Sequence, residues 1–153
     1  MNTPSPLASL AQLGLTLPPP PAPGGNYLSA RTAGNIVYLA GVISQTPEGI
    51  LTGTVGLDRT VDEGYAAARN CALLQLAVLQ AHLGSLDAIR SILTVNGYVN
   101  SVPQFPDSPK VINGASDLFL ALFGESGRHV RAAIGVSGLP RNAIVELQMT
   151  VEI

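Results

Sequence analysis

Arg128-His129-Val130-Arg131-Ala132-Ala133-Ile134-Gly135-Val136-Ser137-Gly138-Leu139-Pro140-Arg141-Asn142, continuing through Ala143-Ile144-Val145-Glu146-Leu147-Gln148-Met149-Thr150-Val151-Glu152-Ile153, is the stretch on which the fold turns. Two alternating runs flank a Gly/Pro/Asn cluster, the pattern of a hairpin with one buried face. Side chains alternate along a strand, so Val130, Ala132, Ile134 and Val136 point one way and Arg131, Ala133, Gly135 and Ser137 the other. Arg131 therefore shares its face only with small residues. That leaves open volume in front of its guanidinium, as reception of a planar anion requires. In the second run Glu146 lies on a polar face with Gln148 and Thr150.

Working back from this stretch, Ser108-Pro109 opens a helix that runs through Val111, Ala115, Leu118, Phe119 and Leu122 to Gly124, with proline in the first turn where it is tolerated. Leu86 to Asn100 reads as a long strand, in which Gly97 marks a bulge or a close backbone approach. Thr60-Val61-Asp62-Glu63 is a capping box, and Ala68, Cys71, Ala72, Gln75, Leu76 and Leu79 then repeat at helical spacing until Gly84 ends the helix. Earlier still, Leu28–Thr32 and Asn35–Ile43 form a strand pair about Ala33-Gly34. Thr46–Gly49 turns into a short strand over Ile50–Val55.

The first 17 residues carry Leu7, Leu10 and Leu13 at the spacing of a small amphipathic helix ending at Gly14. Pro18-Pro19-Pro20-Pro21-Ala22-Pro23 forces an extended connector, because each ring fixes φ and removes a donor. A stiff strap over the domain is the plainer reading of this segment than a ligand for a proline-binding partner. The expected division is an extension and strap over residues 1–23 and one domain over residues 24–153. The element order β-β-β-α-β-α-β-β implies an α+β fold, a mixed sheet with two helices packed on one face.

Composition narrows the function. A chain of 153 residues with 46% hydrophobic content supports one folded core. Only 8 Lys+Arg and a net charge of -2 give no basic footprint for nucleic acid. The charged fraction of 12% with a mean hydropathy of +0.33 leaves a lone monomer unusually apolar, which points to burial between subunits. No signal peptide and no bilayer-length apolar run is present, so a cytoplasmic location is expected and no membrane partner. The one cysteine, Cys71, falls in the helical stripe and reads as packing. His82 ends a helix, where a cation suits the dipole. His129 sits among arginines, which suits anion contact or plain exposure and disfavours a metal. No His, Cys or carboxylate pair has metal-ligand spacing, so neither metal nor cofactor is expected.

Arg131, then Leu139-Pro140, then Val145-Glu146-Leu147 resembles the C-terminal signature of the Rid (YjgF) family of reactive intermediate deaminases. Gly25-Asn26-Tyr27, Gly34-Asn35-Ile36-Val37-Tyr38-Leu39-Ala40-Gly41, Asn113-Gly114-Ala115-Ser116-Asp117-Leu118 and Phe123-Gly124-Glu125 extend the match over nearly the whole chain after the strap. The resemblance implies a chorismate mutase-like fold and a homotrimer with clefts between subunits. It also implies cofactor-independent hydrolysis of enamine or imine intermediates to 2-keto acids and ammonia. It gives Arg131 the substrate carboxylate and Glu146 the activation of water, with Tyr27, Gly41, Asn113 and Ala133 at substrate-binding positions. Two departures stand out. Where many members read Ser-Gly-Gln this chain reads Ala40-Gly41-Val42, and a common cysteine is Ala133. A non-catalytic small-carboxylate-binding or sensor protein of the same fold is the alternative, and a ribonuclease is disfavoured by the acidic balance.

Geometry adds one expectation. If the last two runs pair about Pro140-Arg141, Glu146 falls opposite the region of Gly135, about four residues and roughly 13 Å along the ladder from Arg131. One small substrate reaches both only if the sheet curves or a second chain contributes.

Overall fold

In the computed structural model, which describes residues 4–153, each helix begins and ends on a local signal. Met1–Thr3 of the expected extension lie outside the described residues. Helix α1 (Pro6–Gln12) starts at Ser5, whose Oγ accepts from Ala8 N at 3.2 Å, and gives way to Gly14 at φ 71°. Helix α2 (Val61–Leu83) has the expected capping box: Thr60 Oγ1 accepts from Glu63 N at 3.1 Å, and Glu63 Oε2 accepts from Thr60 N at 2.7 Å. Gly84 closes it at φ 82°, a left-handed value open to glycine without steric cost. Helix α3 spans Ser108–Phe123.

The main sheet contains β1 (Ala30–Ala33), β2 (Ile36–Leu39), β3 (Val42–Ile43), β6 (Ser91–Asn100), β7 (Val130–Val136) and β8 (Val145–Glu152). Its order is β1-β2-β8-β6-β7, with β3 also paired to β8. β4 (Gln45–Thr46) and β5 (Gly49–Ile50) form a separate small hairpin. This is the expected α+β class, a mixed sheet with α2 and α3 on one face. Val95, Val99, Val145, Leu147 and Met149 pack there with Cys71, Leu79 and Phe119. Glycines allow the closest approaches: a Cβ on Gly114 would overlap the Tyr65 carbonyl of α2, and one on Gly97 would lie 2.5 Å from Ile112. Gly97 thus makes room for a side chain and not for another backbone, and the register shift of β6 falls elsewhere, between Ile92 and Thr94.

Several expectations are corrected. The last two strands are not a hairpin, because β7 pairs parallel with β6, from Thr94↔Val130 to Asn100↔Val136, and β8 pairs antiparallel with the other edge of β6. A strand-helix-strand crossover through α3 places β7 parallel to β6. Residues 137–144 then pass over β6 instead of turning tightly, and include a 3-10 turn at Pro140–Asn142. Glu146 consequently lies level with Ile134, next to Gly135, but with Tyr98 of β6 between them.

The faces of β7 alternate as expected, but it is the face of Arg131 that meets the helices. Arg131 is level with the core residue Val95, so Arg131, Ala133 and Gly135 turn toward α3. Val130 and Ile134 turn away from the helices and are 70% and 48% exposed. The volume expected in front of Arg131 is therefore partly filled by α3. The predicted strand start at Leu86 is a 3-10 turn, Leu86–Ala88, because Ser85 Oγ accepts from Asp87 N at 3.1 Å and draws the backbone into a local turn. The strand expected over Ile50–Val55 pairs only at Gly49–Ile50, with single bridges at Thr52 and Val55 beyond it. Among the described residues no helix is long and apolar enough to cross a membrane.

Candidate functional site

The sheet presents Glu146 on the face away from the helices, between Ile43 of β3 and Tyr98 of β6. A cavity of about 400 Å³ opens there. Its walls include Pro21, Ala22 and Pro23 of the proline strap, Tyr27, Gly41, Arg141 and Glu146. The strap thus lies on the body of the domain as a wall of the cavity.

Each side chain has a local reason for its place. Tyr27 folds back on the glycines that follow the strap, and its Oη accepts from Gly24 N at 3.0 Å. Gly41 leaves the space that the Glu146 carboxylate occupies, since a Cβ at this position would overlap Glu146 Oε1. Beneath them the fully buried Gln75 of α2 donates through Nε2 to Ala40 O at 2.9 Å and Leu147 O at 2.8 Å. One amide therefore fixes the backbone beside Gly41 to the backbone beside Glu146. Burial of the partly buried Glu146 raises its pKa above the ordinary glutamate value. Cys71, packed under Val42 O and Val145 O, is fully buried, and its thiol is pushed far up by desolvation, with a further push from Glu146.

The remaining predicted residues gather elsewhere. Arg131 Nη1 donates to Ser116 Oγ at 3.0 Å and Nη2 to Pro109 O at 3.2 Å, both on α3. Positions 109, 113 and 116 fall on one helical stripe, so Asn113 shares it with the two partners of Arg131, and Ala133 lies two residues along the strand from Arg131. His129 belongs to this network: its Nδ1 lies 2.7 Å from Gly127 O and its Nε2 2.9 Å from Ser116 Oγ. A carbonyl only accepts, so Nδ1 carries the proton and Nε2 takes the Ser116 hydroxyl hydrogen. Its pKa is lowered, chiefly by burial and also by Arg131. His82 is exposed, with Nε2 2.8 Å from Thr32 Oγ1.

The six predicted residues thus form two groups, Tyr27, Gly41 and Glu146 at the cavity and Arg131, Asn113 and Ala133 along α3. Arg131 and Glu146 lie on opposite faces with β6 between their strands. Two strand spacings and three residues of register separate them by roughly 14 Å, so within one chain no small ligand touches both. Sequence reasoning missed Arg141, whose segment reads only as a turn, and Gln75, absorbed into an apolar helical stripe. An amide within that stripe was the available signal. Among the described residues no three His, Cys, Asp or Glu side chains gather as metal ligands.

Residues 8–153 match the family described as "YjgF/chorismate_mutase-like, putative endoribonuclease". The chain is 44% identical over 148 residues to Protein TCP17 of Trypanosoma cruzi, covering 95% of this chain and 92% of that protein. The crystal structure of Atu1372 from Agrobacterium tumefaciens is similar at 42% identity and a TM-score of 0.89, with coverage of 97% and 91%. RidA from an Antarctic Psychrobacter is similar at 26% identity and a TM-score of 0.62, with coverage of 88% and 94%. With a match that spans both groups of site residues and the whole sheet, the chain belongs to the Rid/YjgF family.

Proposed function

We propose that this protein hydrolyses imines derived from amino acids to 2-keto acids and ammonia, in clefts between the subunits of a homotrimer. The observation that carries the reading is Glu146, an acid of raised pKa in a cavity shaped by Gly41 and Tyr27. A carboxylate whose pKa is moved toward neutrality is a better base for water than an ordinary glutamate. Arg131, anchored by Ser116 but still exposed, keeps guanidinium surface for a carboxylate supplied at a neighbouring subunit's cavity. The exposed apolar residues Val130 and Ile134 favour such an assembly, because burial between copies removes them from water.

In the proposed step Glu146 takes a proton from water as the oxygen adds to the imine carbon. Glu146 hands that proton to the nitrogen, giving a carbinolamine, then takes the hydroxyl proton and passes it to the amine as the C–N bond breaks, so that ammonia leaves, the ketone forms and the carboxylate is restored. One imine and one water give one 2-keto acid and one ammonia. Orientation of an already electrophilic carbon supplies much of the rate.

Ala40 and Ala133 favour a second reading, a carrier or sensor of small carboxylates, since both positions lack the polar groups common in relatives. Imines generated by a flavin amino-acid oxidase decide between the two. Faster ammonia release with the protein, lost in Glu146→Gln, is expected. No acceleration over buffer with any of several amino acids would sink the enzymatic reading.

A further inference from the structure

Two residues with charged side chains, Glu146 and Arg141, line the cavity and do not neutralise each other. Among the described residues no ion pair joins them, although three form elsewhere. Nor does any cation lower the pKa of Glu146, which burial alone raises. An acid and a guanidinium that share a cavity without meeting leave space for a ligand between them.

The backbone gives Arg141 its place. Arg141 and Asn142 are consecutive left-handed residues, at φ 56° and 58°, an arrangement that side-chain-bearing residues rarely adopt. Surrounding bonds hold them there. Asn142 N donates to Leu139 O and Ala143 N to Pro140 O, each at 3.1 Å, while Gly53 N donates to Asn142 O at 3.0 Å. Asn100 Nδ2 adds bonds to Asn142 Oδ1 and Ala143 O, each at 3.2 Å. The loop is thereby fixed, and Arg141 lines the cavity from it with no hydrogen-bond or ion-pair partner of its own among the described residues.

We propose that Arg141 binds a second carboxylate at the far end of the ligand, so that the site prefers imines and 2-keto acids of dicarboxylic type. This rests on the reading above, in which Arg131 of a neighbouring subunit holds the carboxylate next to the reacting carbon. A second cation in the same pocket then matches a second anion. An apolar side chain would leave the guanidinium facing it without a partner.

Titration calorimetry of the intact protein with 2-oxoglutarate and 2-oxopentanoate, equal in carbon number and different in the terminal acid, tests this. The wild type should bind 2-oxoglutarate about tenfold more tightly, the scale of one charge-assisted contact. Arg141→Asn suits the left-handed backbone and removes the charge, and should erase the difference by weakening 2-oxoglutarate alone. Arg141→Lys should retain part of it. Unfolding temperatures of both variants near the wild-type value establish that the loop is intact. Three results would overturn the proposal: no preference in the wild type, weak or undetected binding of both acids included; equal weakening of both acids by Arg141→Asn, which would give Arg141 the shared carboxylate; or no weakening of either. A dicarboxylate preference without imine hydrolysis would overturn only the enzymatic reading, and hydrolysis without the preference only this one.

Discussion

Glu146 loses water without gaining a cation, and its raised pKa carries a sign for stability as well as for chemistry. A carboxyl whose folded pKa exceeds its unfolded value contributes nothing below the unfolded value of ~4.3, and destabilises the fold increasingly as pH rises through the folded pKa. Glu146→Gln should therefore unfold at the same or a higher temperature than wild type at neutral pH, with the difference vanishing in acid, while imine hydrolysis is lost. A variant clearly less stable at neutral pH would mean that the carboxylate is a structural anchor. Gly41→Ala should act through the same group: its methyl must displace Glu146 Oε1, so kcat should fall by an order of magnitude or more while the helical circular dichroism is unchanged. An equal kcat would show that the carboxylate has other productive positions. Glu146, Tyr27 and Gly41 were legible because they stand in motifs with fixed neighbours. Arg141 was not, since its place at the cavity depends on a left-handed backbone and on the strap that completes the wall, neither of which periodicity encodes.

At the scale of elements, helices were legible and strand pairing was not. A capping box and a terminal glycine act within a few residues, so α2 could be bounded from Thr60 and Gly84. Alternation along β7 identifies a strand but not its partner, nor which face meets the helices, and α3 decides both by carrying the chain across to the far edge of β6. That crossover also builds the Arg131-Ser116-His129 network, which ties β7 to α3. Neutral His129 accepts the Ser116 hydroxyl there, and its folded pKa lies below the unfolded value. As pH falls below ~6.5 the unfolded chain takes up a proton that the folded protein refuses, so stability declines until the folded pKa is passed. His129→Gln should flatten the fall in unfolding temperature between about pH 7 and about pH 5. An unchanged slope would mean that the imidazole titrates alike in both states.

For the whole molecule the question is how the two groups of candidate residues, on opposite faces of one chain's sheet, come to serve one proposed site. Flexing cannot join them, because β6, with Val95 and Val99 fully buried, stands between their strands. A second copy can, if β7 of one subunit meets the Glu146 cavity of the next, which would also cover Val130 and Ile134. This arrangement predicts complementation. Arg131→Ala and Glu146→Gln should each be inactive alone. When the two are mixed, dissociated and reassembled, an interface joining an intact Arg131 to an intact Glu146 should arise with a chance of about one in four, half from each side. Ammonia release should recover to about a quarter of the wild-type rate per site, and only after subunit exchange. A site completed within one chain would give no recovery at any ratio. Recovery should rise and fall with the mixing ratio, with its maximum at equal parts, because each productive interface needs one subunit of each kind.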